Sequence, residues 1–130
     1  MKKDQDDFPT VEQSATGLGV RSGIDIDVDV QGNAIVNGKG MSVSPAWREL
    51  PPSRIPKRLR GTVRSARGSN NTFCFKTGNG PFQQGVVAAG LMLEPDSATH
   101  GCITPARPVP LSQYENDLAA TRPKWEVDES

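Results

Sequence analysis

Nowhere among the 130 residues is there an apolar run of the ~18 positions that a membrane-spanning helix needs. The opening Met1-Lys2-Lys3-Asp4-Gln5-Asp6-Asp7 has no apolar centre of the kind an export signal carries. Both observations lead to the expectation of a soluble chain with no membrane partner. Cysteine is scarce: Cys74 and Cys102 are too few for a disulfide framework, so both are expected to be reduced and packed as small hydrophobes. His100 is the only histidine, and no Cys-x-x-Cys accompanies it, which disfavours a metal site. Aromatic residues make up 5% of the chain, and only Trp47 and Phe73 flank its basic run, which counts against binding of single-stranded nucleic acid by base stacking. Acidic residues are absent between Glu49 and Glu94, although charge over the whole chain sums to +0.

What remains fits one domain, because a chain of this length commonly organises around a single core. Leu, Ile, Val and Phe together supply about a fifth of the residues, near the range where disorder begins. Disorder usually also needs a large net charge, which is missing here. With 13 Gly and 11 Pro breaking the chain, the expectation is a folded, loop-rich α+β domain built from short elements. Residues 1–16 are polar without sustained period and read as a tail or lightly docked arm, ahead of a domain over 17–130.

Ile24-Asp25-Ile26-Asp27-Val28-Asp29-Val30 alternates without a fault. Period two predicts a strand with Ile24, Ile26, Val28 and Val30 on a buried face and the three aspartates toward solvent. Gln31-Gly32-Asn33 then supplies a turn, and Ala34-Ile35-Val36 can pair back. From Met41 to Arg67, four prolines forbid a long helix, and Trp47 and Leu50 are the residues that would pin the segment to the core. Further strands are expected over Thr72–Lys76, Gly85–Leu93 and His100–Thr104, in an antiparallel or mixed sheet, with Gly78-Asn79-Gly80-Pro81 as a hairpin turn. Ser112-Gln113-Tyr114-Glu115 has the form of a capping box, Tyr114 and Leu118 are spaced i,i+4, and Pro123 lies beyond, so Leu111–Thr121 is the best helix.

Arg54, Lys57, Arg58, Arg60, Arg64, Arg67 and Lys76 all fall in the acid-free middle. Such a stretch attracts phosphate-bearing ligands through its field, unless the acids of the preceding strand or the C-terminal segment fold back to neutralise it. Alternating aspartates on a strand are not a calcium loop, which needs a bend at a central glycine and a terminal glutamate. Gly78–Pro81 is not a P-loop, because no Lys-Ser/Thr pair follows. No serine stands in the Gly-x-Ser-x-Gly setting of an esterase nucleophile.

Val20-Arg21-Ser22, Gly38-Lys39-Gly40-Met41-Ser42-Val43, and Ala98-Thr99-His100-Gly101-Cys102-Ile103-Thr104-Pro105-Ala106-Arg107-Pro108 occur in that order, ahead of a helix running to Arg122 and Trp125. This set, over about residues 20 to 126, resembles the small ADP-ribosyltransferase-like bacterial toxins delivered by type VI secretion. The resemblance is best at the Gly-x-Ser-Val and Thr-His-x-x-Ile-x-Pro-Ala segments and loose in the basic middle. It implies an ADP-ribosyltransferase-like split β-sheet with few short helices, an NAD-sized cleft between its halves, action in the cytoplasm, and an immunity protein or antitoxin as partner. It also implies roles for particular residues: Arg21 for the dinucleotide phosphates and ribose, Ser42 for the nicotinamide pocket, and His100 for the ribose, with Ser44 on the same side of the strand as Ser42. These assignments suit the side chains, since a guanidinium fork fits phosphate oxygens and an imidazole can donate to a ribose hydroxyl. The family's catalytic glutamate has no assigned counterpart, Glu94 and Asp96 being the nearest acids before His100. The implied chemistry is NAD-dependent ADP-ribosyl transfer or NAD glycohydrolysis. The rival expectation is a nucleic-acid-binding or RNA-directed toxin that grips phosphates with residues 54–67.

Overall fold

The computed structural model describes residues Met1 to Ser130. Eight short strands form: β1 (Asn33–Ala34), β2 (Met41–Val43), β3 (Phe75–Lys76), β4 (Gly85–Ala88), β5 (Leu91–Pro95), β6 (Gly101–Pro105), β7 (Val109–Pro110) and β8 (Glu126–Val127). A single α-helix, α1, spans Leu111–Ala120. Strands β2, β6, β5 and β4 make a four-stranded antiparallel sheet in that order, while β1–β7 and β3–β8 are separate antiparallel pairs. The class is α+β, as the mixture of short strand patterns and one helical pattern predicts. No helix is long and apolar enough to cross a membrane.

β6 lies inside the sheet and is buried at all of its five positions, so it is the element on which the others are assembled. Tyr114 reaches it from α1: its hydroxyl donates to the Ile103 carbonyl at 2.6 Å and accepts from the Met41 amide at 3.2 Å. One buried phenol thus ties the helix to β6 and β2 together, and burial pushes its pKa well above the ordinary value. Gly40 must be glycine here, because a Cβ would collide with the Ile103 carbonyl and the Tyr114 hydroxyl. The main core gathers Leu18, Val20, Ile26, Met41, Leu91, Ile103, Tyr114, Leu118 and Trp125 around this joint. Trp47, Ile55, Ala66 and Cys74 form a second, smaller core, with Leu50 packed against it.

The 24–30 segment differs from its pattern. Only Ile26 is fully buried, whereas Ile24 is 63% exposed and Val30 lies wholly in solvent. Asp25 and Asp29 are the cause, because each bends the chain locally instead of facing water along a straight strand. The Asp25 carboxylate accepts from the Arg21 backbone N–H at 2.8 Å and from Arg21 Nε and Nη2 at 2.9 and 3.0 Å, closing a turn through Gly23, whose φ is +79°. Asp29 Oδ1 accepts from the Gln31 and Asn33 amides, each at 2.9 Å, an arrangement in which a side chain stands in for a backbone turn. The pairing back is observed: Val28 bridges Ala34, and the Ile35 amide donates to the Asp27 carbonyl.

Three other expectations are corrected. Gly85–Leu93 is a hairpin of two strands, not one, because Gly90 takes a φ of +76° that a continuing strand cannot use. Gly78–Pro81 is a connection between sheets and not a hairpin turn, since β3 pairs with β8 and not with β4. Ser112 does not cap α1; Pro110 stands at the cap, and the Leu111 amide donates to the Gly32 carbonyl at 3.1 Å. Pairing of β7 with β1 carries the chain straight into the helix, so a backbone carbonyl of the neighbouring turn does the work assigned to serine. Both cysteines are free and buried.

Residues 1–16 are docked. Lys2 bridges Thr72, the Thr10 amide donates to the Lys2 carbonyl, and Arg122 binds the Pro9 carbonyl together with Asp4 and Asp6.

Candidate functional site

Sheet register decides which polar residues meet. Ser42 stands opposite Cys102, and Cys102 opposite Glu94, so these three make one row across β2, β6 and β5. His100 lies two residues before Cys102 and therefore on the same face. The Asp96 amide donates to the His100 carbonyl at 3.0 Å, which carries the pairing of β5 and β6 one step past the strand ends. Polar side chains accordingly collect toward one end of this sheet face.

An open groove of about 210 Å³ lies against that end, lined by Asp25, Lys39, Gly40, Ser42, Asp96 and Cys102, with Ile24 and Gly38 at its edge. Arg21 reaches it through its partner Asp25, and His100 through its partner Asp96. Both His100 Nδ1–Asp96 oxygen distances are 2.9 Å; a carboxylate only accepts, so Nδ1 is the donor. Of the three residues Arg21, Ser42 and His100, Ser42 alone lines the groove; Arg21 and His100 are not among its lining residues and bond the lining carboxylates Asp25 and Asp96. Ser44 is not among the lining residues, and its hydroxyl lies 3.5 Å from the Glu49 carbonyl.

Charge in the groove is paired. Burial works to raise the Asp25 pKa, but the hydrogen bonds and charge of Arg21 outweigh it and hold the carboxyl below its ordinary value. Arg54 lies near enough for its charge to add to that effect. Asp27 is lowered by hydrogen bonds from Asn37 and Lys39. Burial pushes the Cys102 thiol up and the Asp96 charge adds to this, against hydrogen bonds involving the Gly40 backbone and Ser42. The Cys102 thiol, which lines the groove, is therefore held toward its protonated form. Two N–H groups of Arg21 go to Asp25, and the rest of the fork stays open on a side chain that is partly exposed.

The resemblance singles out Ser42, Arg21 and His100 but not Asp25 and Asp96, which bond Arg21 and His100. The period-two pattern puts Asp25 on a solvated face, and Asp96 stands out only as one of the nearest acids before His100. The available signal was spacing: Asp25 lies four residues after Arg21, and Asp96 four before His100, both within reach of a tight turn. Lys39 was noted only as part of a glycine-rich segment, yet it lines the groove and bridges Asp27 at 3.1 Å.

A second concavity of about 280 Å³ lies on another part of the molecule, lined by Gly90, Arg107, Val109, Gln113 and Asp117. Asp117 there accepts from Gln113 Nε2 at 2.8 Å and packs so closely on Gly90 that a Cβ would strike its carboxylate. No group of three or more His, Cys, Asp or Glu side chains is placed to hold a metal ion.

The basic middle is an exposed lobe over the second core. Arg58 is neutralised, with Nη1 and Nη2 each 2.6 Å from Glu129 oxygens and Nη2 also donating to the Thr72 carbonyl. Lys76 meets Glu126 at 3.5 Å. The C-terminal acids thus answer two of the seven cations and leave the others. Compared with known proteins, the chain matches no family model, no curated protein and no solved structure.

Proposed function

We propose that this chain is an ADP-ribosyltransferase-like toxin that binds NAD at the groove between the Arg21–Asp25 and His100–Asp96 pairs. The observation that supports the reading is that Ser42 lines one groove together with Asp25 and Asp96, the carboxylates bonded by Arg21 and His100. At about 210 Å³ the groove is smaller than the ~300–1000 Å³ typical of sites for drug-sized ligands. It suits the nicotinamide riboside half of NAD, with the rest lying along its open side. In this arrangement the free part of the Arg21 fork takes a phosphate oxygen and the Ser42 hydroxyl orients the nicotinamide end. His100, held by Asp96, meets a ribose hydroxyl. Glu94 stands in the Ser42–Cys102 row and is held by Gln84 Nε2 at 3.0 Å, which makes it the carboxylate to examine for bond cleavage at the ribose. The same reading assigns action in the cytoplasm, where NAD is available, and restraint by a protein immunity factor.

Titration with NAD, followed by measurement of released nicotinamide, tests this. Saturable binding is expected that changes little with salt and is weakened at least tenfold by Ser42→Ala or His100→Ala at unchanged melting temperature. Arg21→Ala is a poorer test, because it also removes the closure of the 21–25 turn. Binding that survives both Ser42→Ala and His100→Ala would overturn the assignment.

A further inference from the structure

Seven cations and no acid occupy residues 50–76. Arg58 and Lys76 are paired with Glu129 and Glu126, which leaves Arg54, Lys57, Arg60, Arg64 and Arg67 without a carboxylate partner. All five are exposed. Their backbones are fixed, not loose: the Lys57 amide donates to the Gly68 carbonyl at 3.1 Å, the Arg67 amide to Pro52 at 2.9 Å, and the Gly68 amide to Ile55 at 2.8 Å. Gly68 permits this close pairing, since a Cβ would strike the Ile55 and Ser53 carbonyls. Beneath, Ile55 and Ala66 pack with Trp47 and Cys74, and Arg60 Nε donates to the Ala66 carbonyl at 2.7 Å. The result is a small lobe with a hydrogen-bonded backbone whose surface carries four guanidinium forks and one ammonium.

We infer that this lobe binds the phosphate backbone of double-stranded nucleic acid, without regard to sequence. A protein partner would be expected to find an apolar centre to bury, since interfaces are organised around such anchors. None of the exposed large hydrophobic residues of the chain falls within 50–76. A phosphate backbone asks for cations alone, and arginine, five of the six basic residues over 54–67, matches phosphate oxygens with two parallel donors. Single strands are disfavoured because the aromatic rings beside the lobe are occupied: Lys3 and Arg58 lie over Phe73, and Trp47 is buried. Base reading is absent as well, as the lobe has only three-residue 3₁₀ turns, Pro52–Arg54 and Lys57–Leu59, and no helix or ribbon to enter a major groove. None of the five unpaired cations lines the groove, and Arg54, whose charge reaches Asp25, is left unchanged in the variant that tests this inference.

The test is fluorescence anisotropy of the full chain with a labelled 20-base-pair DNA duplex and an RNA duplex of the same length, from about 50 to 200 mM salt. With roughly four phosphate contacts, affinity is expected to fall about a hundredfold over that range. Scrambling the duplex sequence is expected to change nothing. The combined variant Lys57→Gln, Arg64→Gln, Arg67→Gln removes exposed, unpaired groups, so its melting temperature should match the parent while duplex affinity drops at least tenfold. Failure of the parent to bind either duplex at 50 mM salt, or a salt dependence of less than threefold, overturns the inference without recourse to any variant. So does equal competition by polyglutamate of matched charge, which would indicate an acidic protein as the ligand. NAD titration of the same triple variant reports on the groove separately, so loss of one binding activity is not mistaken for loss of the other.

Discussion

Asp25, Asp27 and Asp29 share one residue type and one spacing, yet each does a different job. Asp25 closes a turn onto Arg21, Asp27 collects Asn37 and Lys39, and Asp29 replaces a backbone turn. Asp25 and Asp27 have pKa values lowered from 3.8. A folded-state pKa below the unfolded one contributes stability that is present above the unfolded value and is lost as pH falls through the folded one. Asp25→Asn is therefore expected to lower the melting temperature at pH 7, with the gap to the parent closing below about pH 4; a gap constant from pH 7 to pH 2 would show that the charge plays no part. Cys74 shifts the opposite way. Burial pushes its thiol from 9.0 up to about 11, so its contribution is complete below pH 9 and disappears as pH rises through 11. Tyr114 titrates in the same direction, so the comparison that isolates Cys74 is with Cys74→Ala. Alkaline destabilisation of the parent should exceed that of the variant by about 2 kcal/mol, read from urea unfolding at pH 8 and pH 11.

Among the elements, α1 and β4 lie within the expected segments, β5 and β6 run past theirs to Pro95 and Pro105, and β2 was implied only by the resemblance. α1 was legible because Tyr114 and Leu118 mark its buried side, but Ser112 was misread because nothing local reveals that the Gly32 carbonyl arrives from β1's turn. Ser112→Ala is accordingly expected to cost well under the ~1 kcal/mol of a lost cap. The 24–30 run shows a deeper reason for failure. Period two states which residues could share a face, but the side-chain bonds of Asp25 and Asp29 compete locally with strand geometry and win. Ile26→Ala should then cost about 2 to 4 kcal/mol, and Ile24→Ala less than about 0.5. Chemical denaturation of both variants decides this, and equal losses would restore the continuous strand. The candidate groove was legible to the same partial degree. Ser42 and His100 stood out by motif, whereas Asp25 and Asp96 act through turns, and whether a turn aims a carboxylate inward or outward is a tertiary outcome.

Across the whole molecule, two cores are joined by chain segments from both ends. The N-terminal arm bridges Thr72 on one side and is held by Arg122 after α1 on the other. The C-terminal segment does more. β8 pairs with β3, the Asp128 amide donates to the Cys74 carbonyl at 2.8 Å, and Trp47 Nε1 donates to the Ser130 carbonyl at 3.1 Å. Glu129 is its centre, accepting two bonds from Arg58 and one from the Cys74 amide at 3.2 Å. The small core of Trp47, Ile55, Ala66 and Cys74 is too small to be expected to hold alone, so its order depends on this strap. Glu129→Gln keeps the shape, weakens three acceptor interactions and leaves the exposed Arg58 with no carboxylate partner. A loss of about 2 kcal/mol is expected, since bonds to charged groups exceed neutral ones and partial exposure moderates the cost. The effect should also be local: amide exchange should accelerate through residues 47–76 while Ile103 and the buried turn of α1 stay protected, because Tyr114 ties those to the main core. Uniform acceleration across both cores would show that the lobe and the sheet unfold as one unit and that the strap does not separate them.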